Sequence, residues 1–233
     1  MVEIRSTFHA EIEGIQADVV RLAALVTERI PWGTEVLLNR DLSGAQALIE
    51  GDDELDALSL ELEERCYQTL VLQAPMPSDM RAVISAIHLV SELERSGDLM
   101  VNVVKAMRRI YAVEIDPKLR GLITRMATEA QRLMVVAVDA YVEGDEAKAA
   151  ALDDMDDRLD TLHKEYIQAI FETHHLGNVD LEAGVQLALV GRYYERIGDH
   201  AVNIGERVRY MVSGWLPELK GAARAAARDK TAG

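Results

Sequence analysis

Two copies of one unfavourable sequence string constrain this chain more than any other feature. The string Glu-Arg-x-Gly-Asp-x-x-x-Asn runs from Glu94 to Asn102 and again from Glu195 to Asn203. Both copies lie in helical patterns, although an interior glycine costs a helix about 1 kcal/mol relative to alanine. Carboxylates one turn apart on a helix also repel by about 0.2–0.5 kcal/mol. Because this motif string occurs twice, we infer a duplicated unit with a common chemical role.

Apolar residues recur at spacings of three and four along nearly the whole chain, and strand-like alternation is missing. The sequence therefore predicts an all-α fold of six helices. Their predicted positions are about 4–40, from a cap at Asp41 or Ser43 to about 73, 78–111, 117–143, 146–174 and 181–212. At Pro31 we expect a kink in the first helix, with a break into two helices as the alternative.

The motif string lies in the last helix of each set of three, which indicates an internal repeat. Short connections favour antiparallel neighbours. We therefore predict two tandem antiparallel three-helix bundles, at residues 1–112 and 113–216, and a flexible C-terminal tail at residues 217–233.

Acidic residues of the preceding helix come level with the motif string in both halves. This follows from counting outward from each hairpin turn at about 1.5 Å per residue. The candidate metal ligands are Asp52, Asp56, Glu94, Asp98 and Asn102 in the first half, and Asp156, Asp160, Glu195, Asp199 and Asn203 in the second, with His163 as a possible further ligand.

Facing carboxylates with no basic partner between them repel in a partly desolvated groove, so protonation or a bound cation must relieve the repulsion. Oxygen ligands favour magnesium, manganese, calcium or iron, and zinc is a candidate near His163. The ordinary alternative is a solvated acidic face, with Arg95 or Arg196 neutralising a carboxylate. His200 points about 100° away from its neighbour Asp199 around the helix, so we do not count it as a ligand.

The net charge and the single cysteine exclude or disfavour several classes of partner and site. The net charge of −15 disfavours a nucleic-acid partner and suits a cation or a basic protein surface. The one cysteine, Cys66, excludes an internal disulfide and a thiolate metal site, and we expect it to be buried. No signal peptide is visible, and no apolar run approaches the roughly 18 residues typical of a transmembrane helix. We therefore expect a cytoplasmic protein that meets membranes only through partners.

The sequence resembles the PhoU family of phosphate-uptake regulators. The resemblance lies in ELERSGDLMVNV and YYERIGDHAVNI, and in the turn and helix LQAPMPSDMRAVISAIHLVSELERSGD. It extends from Phe8 to about Trp215. The resemblance implies two three-helix bundles related as a pseudo-twofold internal repeat, and metal ions or ion clusters at the motif-string carboxylates Glu94, Asp98, Glu195 and Asp199.

The resemblance also implies a role. Such proteins repress the phosphate-starvation response and are thought to link a phosphate ABC transporter, through its ATPase, to a sensor histidine kinase of a two-component system. One departure concerns Ser59, where family members often carry an acidic residue; His163 takes the matching place in the second half. The two sites are therefore expected to differ in affinity or metal.

The hypothesis from the sequence is a cytoplasmic, metal-binding regulator that acts as an adaptor and is not an enzyme. The metal is iron, zinc, manganese or magnesium, and a homodimer is a further possibility. One alternative is a helical adaptor without metal. Another is a carboxylate-bridged metalloenzyme, which needs Glu-x-x-His on two helices; the nearest match is the single Asp160-x-x-His163.

Overall fold

The computed structural model describes residues 2–72 and 76–214, and side chains from residue 9 onward except at residue 72. Within these ranges all regular structure is helical, which confirms the all-α prediction. The helices are α1 (Val2–Asn39), α2 (Leu42–Glu50), α3 (Asp52–Leu72), α4 (Pro77–Arg109), α5 (Pro117–Glu143), α6 (Glu146–His175) and α7 (Leu181–Ser213).

The first helix continues through its internal proline. Pro31 lies inside α1, so the alternative of two separate helices is wrong. A proline removes one backbone hydrogen bond, and the helix is held across this point by packing. Ile30, Val36 and Leu37 are all buried on either side of the proline.

The second predicted helix is divided at Gly51 into α2 and α3. Gly51 keeps a right-handed helical conformation, with φ −71° and ψ −7°, so the break is slight. Together α2 and α3 correspond to the second of the six predicted helices. The Gly51 carbonyl accepts a hydrogen bond from the Arg29 guanidinium. This side-chain contact from α1 at the junction of the two helices could not be read from periodicity.

Aspartates begin four of the helices. Asp41, Asp116, Asp145 and Asp180 each accept a hydrogen bond from a backbone N–H of the following first turn. At the end of α5, Gly144 has φ +63°, a left-handed conformation in which glycine is favoured. These ends agree with the sequence prediction to within one or two residues.

The two halves pack through their inner helices. In the first half α1 contacts α2, α3 and α4, and in the second half α5, α6 and α7 contact one another. Between the halves, α4 packs against α7 and α1 against α5. The buried side chains form one continuous core, and the domain boundary at residue 113 stays a prediction. The predicted tail at residues 217–233 lies outside the described residues.

The apolar stripes predicted for the two helices of the second hairpin are buried. These residues are Tyr194, Ile197, Ala201, Ile204 and Val208 on α7, and Leu159, Leu162 and Tyr166 on α6. Met155, the first residue of the predicted α6 stripe, is only partly buried against this core. Tyr194 also forms a 2.8 Å hydrogen bond with Thr34, which ties α7 to α1. Because the stripes fix how each helix is rotated, they also fix where the neighbouring carboxylates point.

Cys66 is completely buried in α3, as expected from its apolar pattern. Burial raises the pKa of its thiol to about 11, so the thiolate is scarcely populated at neutral pH.

None of the described helices combines the length and the apolar composition needed to cross a membrane.

Two glycines give a matched test of helix packing. A Cβ at Gly205 would lie 2.8 Å from the backbone oxygen of Ala149, whereas a Cβ at Gly121 would meet no atom within 4 Å. We expect Gly205→Ala to lower the free energy of unfolding by about 1–3 kcal/mol, because the α6 backbone cannot move aside. Gly121→Ala should raise it by about 0.5–1 kcal/mol. Urea unfolding followed by circular dichroism measures both, and equal effects would contradict the close approach of α6 and α7.

Candidate metal-binding clusters

Two helical hairpins bring the predicted carboxylates together. The first cluster, defined as Asp52, Asp56, Glu94 and Asp98, lies between α3 and α4. The second cluster, defined as Asp156, Asp160, Glu195 and Asp199, lies between α6 and α7. Charge interactions across the hairpins join Asp52 to Asp98, Glu94 to Asp56 and Asp156 to Asp199, which agrees with the predicted register at these pairs.

Repulsion within the first cluster is visible at Glu94. Burial raises the pKa of this carboxyl, and the charges of Asp98 and Asp56 raise it further. Asp56 and Asp98 are themselves exposed to solvent. The first cluster is therefore a groove that is open to solvent on the side of Asp56 and Asp98.

Arg29 of α1 enters the first cluster, and the expectation of no basic partner there is wrong. Its Nη1 donates to Asp52 Oδ1 at 2.8 Å, and the two side chains are only 11% and 15% exposed. Burial raises the pKa of Asp52 more than this ion pair lowers it. A sequence signal was present, because Arg29 follows the buried Val26 by three residues and the buried Leu22 by seven, which places it on the same helical stripe. A charged residue in a core stripe indicates a buried partner.

In the second cluster, Asp156 is the carboxyl whose pKa is raised by burial and by neighbouring charges. Burial and the charges of Asp160 and Asp199 raise the pKa of its carboxyl to about 6. Among the described residues, Asp156 Oδ1 is buried and has no hydrogen-bond partner. A Cβ at Gly198 would collide with this oxygen and lie 2.7 Å from Leu159. The motif-string glycine thus permits the close approach of α6.

The second cluster has a basic neighbour that sequence reasoning missed. Arg192 is paired with Glu195, and its Nη2 lies 3.8 Å from Asp199 Oδ2. Its side chain is 49% exposed, so the guanidinium lies at the rim of the cluster. Arg95, which the sequence offered as a neutralising partner, instead pairs with Glu92 at 2.6 Å.

Ser59 and His163 occupy matching places beside the two clusters. Ser59 Oγ and His163 Nε2 are both buried and without a hydrogen-bond partner in the described part of the chain. Burial and the charge of Arg192 lower the pKa of His163, which favours the neutral imidazole that binds metals.

The two asparagines of the motif strings are less closely tied to the clusters. Asn203 donates to Glu92 of α4 at 3.4 Å rather than to a carboxylate of the second cluster. No hydrogen bond joins the Asn102 side chain to a first-cluster carboxylate within the ranges that the structure describes. Their role as ligands stays a prediction.

His200 faces the other half of the molecule, as its position on α7 indicated. Its Nδ1 lies 3.0 Å from Ser96 Oγ, and its Nε2 lies 3.9 Å from Glu92 Oε2. Burial, together with the charges of Arg95 and Arg196, lowers the pKa of this buried imidazole to about 4. It is therefore a neutral packing residue between α4 and α7.

The donor chemistry of the second cluster fits a cation. Over residues 2–72 and 76–214, no group of three or more His, Cys, Asp or Glu side chains stands ready in ligand geometry. The unpartnered oxygen of Asp156 and nitrogen of His163 nevertheless supply the oxygen and imidazole donors that divalent ions accept. Binding would require the half-buried carboxylates to converge, and Arg192 to release Glu195 and Asp199.

Comparison with known proteins identifies the family. The sequence model of the PhoU domain matches residues 19–107 and 123–208. The chain belongs to the PhoU family.

Two relatives are similar in sequence to this chain over most of their own length. "Phosphate-specific transport system accessory protein PhoU homolog 1" of Mycobacterium tuberculosis is 32% identical over 218 residues, which are 92% of this chain and 96% of that protein. The PhoU homolog of Caulobacter vibrioides is 30% identical over 89% of this chain and 90% of its own.

Solved PhoU structures share the fold. The crystal structure of PhoU from Pseudomonas aeruginosa superposes with a TM-score of 0.83 and 26% identity, over 89% of this chain and all of that one. PhoU from Streptococcus pneumoniae has a TM-score of 0.82 over 90% of this chain and 98% of its own. The family and the fold predicted from the sequence are thus confirmed.

The raised pKa of Asp156 predicts a pH-dependent effect of Asp156→Asn. A folded pKa of about 6 exceeds the ordinary value near 3.9, so this carboxyl favours folding below about pH 4 and loses that contribution as the pH rises through about 6. With metal removed by a chelator, Asp156→Asn should be more stable than wild type at about pH 7.5. We expect about 1 kcal/mol after allowance for solvent screening, and no gain near pH 4.

Urea unfolding at the two pH values measures this difference. Asp154→Asn is the control, because Asp154 is exposed on the same helix. A gain of equal size at both pH values would contradict the prediction.

Proposed function

We propose that this protein is a cytoplasmic, metal-binding negative regulator of phosphate uptake and of the phosphate-starvation response. It acts as an adaptor between the ATPase of a phosphate ABC transporter and a sensor histidine kinase. The observation that carries the proposal is the pair of acidic clusters, repeated in register on a PhoU-family frame.

Family membership supports the transporter partner. The relatives from M. tuberculosis and C. vibrioides are both described as accessory proteins of a phosphate-specific transport system. The net charge of −15 suits contact with basic regions of partner proteins. The kinase partner follows from the family resemblance, and a homodimer is a further expectation.

The electrostatics support the cation. Asp156 and Asp160 have no ion pair with a basic side chain among the described residues, and Asp156 keeps a buried, unpartnered oxygen. Mutual repulsion of this kind is relieved when a divalent or trivalent ion binds. Iron, zinc, manganese and magnesium all accept such ligands.

An adaptor that works without metal is the second candidate. It is favoured by Arg29 and Arg192, which already offset part of the charge in the two clusters. Catalysis is not proposed, because the Asp160-x-x-His163 arrangement has no equivalent in the first half, where Ser59 takes the place of the histidine.

Deletion of the gene should derepress phosphate-starvation transcripts in cells grown with abundant phosphate. Wild-type protein and the Asp154→Asn control should restore repression, because Asp154 is exposed and belongs to neither cluster. If the cation is needed, a Glu195→Ala, Asp199→Ala double variant should fail to restore repression. Transcript levels measure this outcome. Unchanged expression after deletion would contradict the regulatory role, and full repression by the double variant would favour the metal-free adaptor.

A further inference from the structure

We infer that the two clusters are not equivalent: Arg29 is the built-in cation of the first cluster, and the metal of the proposed function binds in the second. This inference rests on the proposed function for the metal itself. It adds which half of the molecule binds the ion, and which residue excludes the ion from the other half.

The internal repeat makes the comparison direct. A Cβ at Gly97 would lie 3.1 Å from Leu55 and 3.6 Å from Arg29 Nη1. A Cβ at Gly198 would lie 2.7 Å from Leu159 and 3.4 Å from Leu133. Leu159 follows Leu55 by 104 residues, and Leu133 follows Arg29 by the same number.

The same place against the motif-string glycine is therefore taken by a guanidinium in the first half and by a leucine in the second. Leu133 is fully buried in the core, whereas Arg29 directs its charge toward Asp52. One substitution between the repeats thus gives the first cluster a positive charge that the second cluster lacks at this position.

Arg29 cannot leave the first cluster easily. It is only 11% exposed, and it is bound both to Asp52 and to the Gly51 carbonyl at the junction of α2 and α3. Moving it away would break the ion pair and leave a buried charge without its partner. A metal ion entering the first cluster would also meet the repulsion of this nearby guanidinium.

The second cluster has more donor atoms for a metal ion than the first, and its neighbouring positive charge is easier to displace. Arg192 is half exposed, and its ion pairs within the described residues are with the α7 carboxylates Glu195 and Asp199, so it can swing into solvent. The α6 carboxylates Asp156 and Asp160 are in no ion pair within the described ranges. His163 adds a nitrogen donor where the first half has only the hydroxyl of Ser59.

Titration of the full-length, tag-free, chelator-treated protein with Mn²⁺ tests the inference. Electron paramagnetic resonance measures free Mn²⁺ and hence the stoichiometry. Asp160→Asn, Asp199→Asn should weaken the binding by at least about tenfold, because it removes two of the ligands. The matched pair at the equivalent first-cluster positions, Asp56→Asn, Asp98→Asn, should change it less than about twofold.

Exchanging the residue at the repeat position gives a second measurement. Arg29→Leu should raise the number of bound Mn²⁺ ions from about one to about two per chain, since it removes the repelling charge. In the wild type, bound Mn²⁺ should broaden the proton resonances of the His163 imidazole, which mark the second cluster. The broadening does not depend on whether Arg29→Leu folds.

The outcomes separate the two proposals. Equal losses from both neutralised pairs, or no broadening at His163 when Mn²⁺ binds, would overturn the inequivalence while leaving metal binding intact. A folded Arg29→Leu variant that gains no ion would overturn the role of Arg29. The absence of saturable binding in wild type and variants would overturn metal binding and the inference with it.

Discussion

Repulsion between carboxylates that face one another across a helical hairpin is the constraint on which this architecture depends. The apolar stripe of α7 must be buried, and burying Tyr194 and Ile197 fixes the rotation of the helix. That rotation leaves Glu195 and Asp199 facing α6, where Asp156 lies against the motif-string glycine. The hydrophobic core therefore imposes the charge cluster, and the protein must offset the repulsion by other means.

The two halves offset it differently on the same frame. The first half uses a buried arginine from α1, which also secures the junction at Gly51. Beside the second cluster, the described part of the chain places the half-exposed Arg192, and the pKa of the Asp156 carboxyl is raised to about 6. The two halves thus share the arrangement of carboxylates, while one position, Arg29 in the first half and Leu133 in the second, adds a positive charge to the first cluster alone.

Sequence periodicity was sufficient for the helices, their aspartate caps and the register of the clusters, because these depend on local spacing. It could not locate the break at Gly51, and although the core stripe of α1 marks Arg29 as a residue with a buried partner, it could not identify that partner as Asp52, since both features arise where α1 meets α2 and α3. Asn203 was assigned to the second cluster by its spacing on α7, but its amide donates to Glu92 on α4. Contacts between the halves decide such side chains, and spacing within one helix contains no information about them.

The single cysteine gives this fold a natural reporter of its opening. Cys66 is fully buried in α3, the helix that carries Asp52 and Asp56, and its raised pKa further slows reaction with alkylating reagents. Modification therefore requires α3 to separate from the core, and the rate of labelling follows the population of that opened form. The dynamics of the first half can be measured in the unaltered protein by mass spectrometry, without an engineered probe and against a background of no other thiol.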